Sequence, residues 1–419
     1  MQKRSAARWM MASAMVTFAV SMQASGYKIP EQSTRSMALS AAYVAGTVGA
    51  DTSYYNPAKM GWLEENQYAE GALTLIHLPA VEYRGTVYGA PADADSKSED
   101  FVVPTLHYVG PKFGKWRFGF SVAAPGGLSK RWDTQPQRAK AEEFTLAIIE
   151  ANPTFSYTFN DRWSVGGGLR AVYTDGTVRA YGVDGVGNFL YAENMEGDSF
   201  DFGYNLAIAF RPQKETVLSV TYRSNVDLTV EGTAKGGFSV AKGSATPQSW
   251  YHTDADVKVP LPATLAVAAS HDFGRVKVEV VYERTYWSRY DKLDFNFDNP
   301  SVEALFGRPI DKDWQDTDTL RIGLTWHVNE KWDMLFGYAW DETPIPEKTL
   351  GFELPDADAN IFSVGSMVRI DRHWEAGFAM LYDKKDERSV SYPPNENGID
   401  GTFNKGGAYL ATFGVGYRF

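Results

Sequence analysis

The stretch AYLATFGVGYRF, Ala408 to Phe419, alternates so regularly that it decides how the rest of the chain is read. Successive side chains of an extended strand point to opposite faces. Tyr409, Ala411, Phe413, Val415, Tyr417 and Phe419 therefore share one side, and Leu410, Thr412, Gly414, Gly416 and Arg418 share the other. One side is apolar and aromatic; the other is small or polar. A terminus in water usually frays, so a closing strand with this many rings on one side predicts lipid outside it.

The same period of two recurs from about Gln67 onward. Trp163, Val165, Gly167, Leu169, Ala171 and Tyr173 oppose Ser164, Gly166, Gly168, Arg170 and Thr174. Leu218, Val220 and Tyr222 oppose Ser219, Thr221 and Arg223, and Leu320, Ile322, Leu324 and Trp326 oppose Arg321, Gly323, Thr325 and His327. These are strands, not helices. Six tight polar turns (PKFGK at 111–115, FNDR at 159–162, RPQKE at 211–215, DFGR at 272–275, VNEK at 328–331, DRH at 371–373) alternate with seven long segments. The long segments lie near 89–100, 125–143, 180–198, 232–250, 288–316, 341–359 and 384–405. Short turns on one side and long loops on the other predict an all-β fold, a 14-stranded antiparallel transmembrane β-barrel of the outer-membrane kind. A soluble sandwich is the competing architecture, but it would carry polar outer faces and no asymmetry of turns. Here the apolar faces begin or end on Trp or Tyr, as in Trp332 to Trp340, the pattern of interfacial aromatic girdles.

Composition agrees. Charged residues make up 22% of the 419 and mean hydropathy is negative. Past the N-terminus no apolar run approaches the length of a spanning helix. Residues 1–24 have the layout of an export signal, with Lys3, Arg4 and Arg8 ahead of an apolar run from Trp9 to Val20 and cleavage placed after Ala24. Its removal takes the net charge from −11 to −14, which argues against a nucleic-acid partner. The chain has no cysteine, so thiol catalysis, disulfides and thiolate metal sites are excluded. Six scattered histidines with no recognisable nucleophile or paired carboxylate predict no enzyme, and no metal or cofactor site is expected.

Residues 25–66 show no strand alternation but carry Ile29, Met37, Leu39, Val44, Tyr54, Tyr55, Met60 and Trp62, which ask for burial. The available place is the lumen, so 25–66 is expected to form a hatch of short helices and 67–419 the barrel. Such a filled interior argues against an open diffusion porin. The Gly26-Tyr27 start, NPAKM at Asn56 to Met60, PLPATLAVAAS at Pro260 to Ser270, YERTYWSRYDKL at Tyr282 to Leu293 and DETPIPEKTLGFELPDAD at Asp341 to Asp358 resemble the FadL family. That family comprises outer-membrane transporters of long-chain fatty acids and related hydrophobic compounds, and the resemblance covers nearly the whole chain beyond the signal.

The resemblance implies passive uptake through an extracellular apolar groove, a lumen pocket and a lateral exit at a kinked strand. It places Asn56, Pro57 and Ala58 in the hatch and the kink in the strand from Lys115 to Leu128. Pro125, Gly126 and Gly127 interrupt that strand, and the same three residues would also suit the start of a loop. It assigns Arg179 and Tyr27 to the ligand, although Arg179 also reads as a solvated loop arginine. The family's second cation falls near Asp313 to Leu320, where this chain has acids and no lysine, so uncharged aromatics or alkanes stand beside fatty acids as substrates. Outer-membrane lipid, lipopolysaccharide and, through the strand ending in Phe419, the barrel-assembly machinery are the other partners implied.

Overall fold

A computed structural model describes residues 26–239, 243 and 246–419. The signal segment 1–24 and its cleavage point lie outside the described residues.

The barrel has fourteen strands. They are β1 (Tyr68–Leu78), β2 (Glu99–Phe113), β3 (Trp116–Lys130), β4 (Glu143–Thr158), β5 (Trp163–Val183), β6 (Phe189–Gln213), β7 (Thr216–Arg223, continuing as Val226–Phe238) and β8 (Ser249–Leu261, continuing as Thr264–Asp272). The rest are β9 (Val276–Thr285), β10 (Thr317–Asn329), β11 (Trp332–Asp341), β12 (Ala359–Arg369), β13 (Trp374–Lys385) and β14 (Gly407–Arg418). Each pairs antiparallel with the next, and β1 also pairs with β14 from Tyr68↔Arg418 to His77↔Tyr409. The ring is closed, which removes the unpaired edges that an open sheet would expose.

Period-two sequence becomes two surfaces. Leu73, Leu75, Phe118, Phe120, Leu206, Phe336, Phe362 and Phe413 all point outward and are exposed, as an apolar band facing acyl chains must be. Trp116, Trp163, Trp332 and Trp374 mark its short-turn end, and Tyr382 stacks on Tyr409 at 4.7 Å near the other. Phe419 packs edge-on to Tyr417, which in turn contacts Trp374, so the terminal ring belongs to the girdle.

The six short turns fall where the sequence places them, but three loops are shorter than expected. β5 and β6 run on to Val183 and from Phe189, β7 and β8 to Phe238 and from Ser249, and β3 continues through Pro125 to Lys130. Above the apolar band both faces of a hairpin can be polar, so hydrophobic alternation fades while backbone pairing continues, as at Arg179↔Asn194 and Lys235↔His252. Other long loops fold into a cap. In it Glu82–Val87 pairs with Ile399–Asn404, and Tyr83, Trp132, Phe352 and Phe403 make edge and tilted ring contacts.

Inside the ring, residues 26–66 form helices Thr34–Ala38 and Thr52–Tyr55 and a 3-10 turn Pro57–Trp62. Ser33 caps the first by accepting from Ser36 N. Ile29, Met37, Leu39, Val44, Tyr54 and Met60 are buried, and Tyr55 and Trp62 partly so. Strand glycines make this possible. A Cβ on Gly337 would stand 2.2 Å from Leu39 C, one on Gly166 2.5 Å from Ala58 N, and one on Gly365 2.4 Å from Ala38 Cβ. The wall is thus cut away where hatch backbone touches it.

Candidate functional site

Residues 26–66, the expected hatch, are joined to the wall mainly by side-chain hydrogen bonds and ion pairs, with one antiparallel backbone bridge at Lys28↔Gly126. Glu279 on β9 accepts from the backbone N–H groups of Val44 and Ala45, each at 2.6 Å, and of Gly46 at 2.8 Å. Arg35 forks onto Glu375 of β13 at 2.8 and 2.9 Å. Gln32 donates to Ala124 O at 2.8 Å and accepts from Ala124 N at 2.7 Å. Asn56 donates to Val44 O at 2.8 Å and to Ser219 Oγ at 3.0 Å, Pro57 opens the 3-10 turn, and Ala58 O accepts from Ser164 Oγ at 2.6 Å. Those three residues therefore form the seam between the hatch and strands β5 and β7.

Between the hatch and the barrel wall is a cavity of about 80 Å³ lined by residues of both, among them Lys28, Tyr54, Pro125, Arg170, Arg223 and Arg321. Its cations share carboxylates. Arg170 and Arg223 both bond the buried Glu150, Arg170 at 2.8 Å, and Lys28 and Arg321 both bond Glu283, at 2.6 and 3.3 Å. Arg223 also lies over the ring of Tyr54, 4.2 Å from its centroid. The remaining lining includes Ile29, Val44, Leu261 and Pro262. An apolar chamber with a surplus of guanidinium is suited to a molecule that is oily with an anionic end.

Pro125 lines this cavity, and Gly126 and Gly127 follow it along β3. Pairing of β2 with β3 stops at Leu106↔Val122, and pairing of β3 with β4 shifts register between Ala123 and Gly126. In place of β2, the hatch supplies a partner: Ile29 N donates to Pro125 O and Gly127 N to Tyr27 O, both at 2.9 Å. A Cβ at 126 would sit 3.0 Å from both Ile148 Cδ1 and Tyr27 O, so glycine suits the contact.

Higher up, Leu146, Val178, Met195, Val230, Val257 and Phe295 line an apolar groove of about 50 Å³ among the extended strands. Between the two, Tyr27 packs against Trp287, Tyr290 and Trp314 with ring centroids 4.8, 6.3 and 5.7 Å away, and its hydroxyl donates to Pro260 O.

The chain belongs to the outer membrane protein transport protein (OMPP1/FadL/TodX) family. That family's profile matches residues 15–419. Relatives include a long-chain fatty acid transport protein of Escherichia coli O6:H1 (23% identical, 87% of each chain covered) and one of Salmonella typhi (24%, covering 78% of this chain and 80% of that one). Among solved structures, a Pseudomonas aeruginosa FadL homologue superposes with a TM-score of 0.78 at 17% identity, covering 94% of this chain and 99% of the other. The Ralstonia pickettii toluene transporter TbuX gives 0.70 at 16%, covering 92% and 98%. These likenesses establish the fold and the outer-membrane location, and the family is one of transport proteins.

Not every residue singled out in the sequence meets at the cavity. Arg179 lines neither cavity nor groove: it is 44% exposed on β5 and bonds Glu143 at 2.8 Å and Glu196 at 3.2 Å. Arg170, Arg223, Arg321 and Glu283, which do line the cavity, and Glu150 behind them carried a signal, because charged positions on the inner face of a strand must be paired in the lumen; Lys28, outside the strands, carried none. Residues 313–320 contain no lysine, yet Arg321 follows them directly and reaches the cavity. Among the described residues no group of three or more His, Asp or Glu is placed to hold a metal ion.

Glu31 of the hatch is buried with neither carboxylate oxygen bonded. Burial raises its pKa to about 7 against the attraction of Arg321. Below the ordinary carboxylate range both folded and unfolded chains hold this proton. Between about pH 4.5 and 7 only the folded chain does, so ionisation of the unfolded state lowers stability as pH rises. Glu31→Gln should remove that part of the pH dependence. In detergent the variant's Tm advantage over the parent should grow from pH 4.5 to 7 and then level off. A constant difference would contradict the assignment.

Proposed function

We propose that this chain passively admits hydrophobic molecules, long-chain fatty acids foremost, across the outer membrane. In this reading they are caught in the upper groove, pass to the cationic cavity, and leave sideways through the break between β2 and β3, with residues 25–66 acting as the hatch and 1–24 as the export signal. No catalytic step is involved. Each stage exchanges one apolar contact surface for another, at about 0.8 kcal/mol per methylene, so affinity needs no energy source. Lipopolysaccharide surrounds the outward aromatic band, and the barrel-assembly machinery takes the strand ending in Phe419.

The observation that carries the proposal is that Arg170 and Arg223, on the wall of the cavity that Pro125 also lines, share a single buried carboxylate, Glu150, behind them. Their residual positive charge suits a fatty acid headgroup. Arg179, engaged by two glutamates, is assigned at most a steering role at the mouth. The ring cluster of Tyr27, Trp287, Tyr290 and Trp314 supports a second reading, passage of uncharged aromatics, because rings bind rings edge to face without any cation. Equilibrium binding of oleate and hexadecane to the purified protein tests the choice. Arg223→Ala should weaken oleate about tenfold and hexadecane less than twofold, while Arg179→Ala changes either less than twofold. Equal losses for both ligands in Arg223→Ala would favour the neutral-substrate reading.

A further inference from the structure

Around most of the ring neighbouring strands are laced continuously, but β6 and β7 are joined in two separate stretches. Gln213 to Asn205 pairs with Thr216 to Arg223, and Asp198 to Tyr191 pairs with Glu231 to Phe238. Between them Ser224 and Tyr204 exchange one set of bonds, Tyr204 N to Ser224 Oγ and Ser224 N to Tyr204 O, each at 2.9 Å. Among the described residues, Ser199 to Gly203 then has no backbone partner on β7, although it stays paired with β5 on its other edge. Side chains close the seam instead. Asp201 Oδ2 accepts from Thr229 N at 3.3 Å, and Val226 fills the space over Gly203, where a Cβ would meet its Cγ2 at 2.7 Å.

The two sides of this seam differ in kind. Outside, Phe200 and Phe202 stand edge to face at 5.1 Å, the latter 68% exposed, at the top of the apolar column formed by Ile208, Leu206 and Tyr204. Past Phe200 the same strand turns acidic with Asp198 and Glu196. The seam therefore sits where the outer leaflet meets the headgroups. Inside, Val226 and Leu228 are buried, and Gly197, Met195 and Val230 just above them form part of the apolar groove. Opening a normal ladder would break several backbone bonds together; here the Ser224 bonds, one of them from Arg170 to its carbonyl, one aspartate bond and one valine side chain stand between lipid and groove.

We propose that the β6–β7 seam is a second lateral opening, an inlet through which apolar molecules already dissolved among outer-leaflet acyl chains enter the groove. It is separate from the β2–β3 break in position and in direction of traffic. The chain lacks cysteine, so Gly203→Cys with Val226→Cys introduces a single possible disulfide across the seam. The full chain in phospholipid vesicles containing a diazirine-bearing hexadecane is photolysed, and labelled residues are mapped by mass spectrometry. Oxidation should lower labelling of Met195 and Val230 at least threefold, reversibly on reduction, and leave Ile29 and Pro30 beside the β2–β3 break unchanged. Equal labelling in both redox states would overturn the proposal, and so would an equal fall at all four residues, which would mean general closure. Val226→Ala, which removes the side chain packed over Gly203, must raise labelling of Met195 and Val230 and leave Ile29 and Pro30 unchanged; unchanged labelling in that variant overturns the proposal as well.

Discussion

Glu279→Ala is expected to convert a closed barrel into a conducting one. The Glu279 carboxylate is buried and holds three consecutive backbone N–H groups of the hatch, at Val44, Ala45 and Gly46. Charge-assisted bonds of this type are the strong ones, and three on one carboxylate fix a loop that has little regular structure of its own. Nearby, Lys59 donates to the carbonyls of Ala45 and Thr47, and Lys277 donates to Gly46 O at 2.9 Å, so the same loop is flanked by two ammonium groups. Truncation leaves three buried donors and two cations without their counter-charge. Removing one partner of such a buried arrangement costs about 3–5 kcal/mol. Applied to seating of the hatch, that shifts the open population by about two to nearly four orders of magnitude. In planar bilayers the variant should pass ions in long openings where the parent is nearly silent. Glu279→Gln, which keeps an acceptor oxygen but turns an amide toward the N–H groups, should fall between them. A silent Glu279→Ala channel would show that the remaining anchors, Arg35 with Glu375 among them, suffice to hold the hatch.

The hatch also shows where reading the sequence succeeds and where it stops. Strand faces such as Trp332 to Trp340 are legible because lipid on one side and lumen on the other impose a period that local sequence records. The polar turns are legible for the same reason. Loop lengths are not: the β5–β6 hairpin continues past the membrane to Val183, and in water neither face has to be apolar. The break in pairing sits inside β3 rather than at its end because Tyr27 and Ile29 replace β2 as bonding partners, a substitution made from about a hundred residues away. Lumen chemistry is the least legible part. Arg170 announces itself as an inward charge, but that its partner is Glu150 and its companion Arg223 depends on which strands the closed ring brings together. Arg179 shows the converse, a matching position in the chain that ends on the outer rim between two glutamates.

The Arg170, Glu150, Arg223 arrangement leads to an expectation with an unusual sign. Glu150 is fully buried and is bonded by both guanidinium groups; Arg170 also donates to Ser224 O, and Arg223 reaches toward Tyr54 O at 3.5 Å. Glu150→Gln preserves shape but removes the carboxylate the two arginines share. Two buried cations then repel with nothing between them, and stability should fall by about 3–5 kcal/mol, seen as a Tm lowered by several degrees in detergent. The cavity, however, becomes a better receptor for an anion. A fatty acid carboxylate entering there would take over the role of the missing side chain, and a ligand that binds only the folded state raises stability in proportion to the logarithm of its concentration over Kd. Oleate should therefore restore most of the lost Tm in Glu150→Gln while raising the parent's only slightly, and hexadecane should do neither. The contrast separates two roles for these arginines. If oleate and hexadecane shift the variant's Tm equally, the arginines serve the wall alone, and the headgroup of any ligand lies elsewhere. If only oleate restores it, the buried pair is the place where an oily chain with an anionic end is told apart from one without.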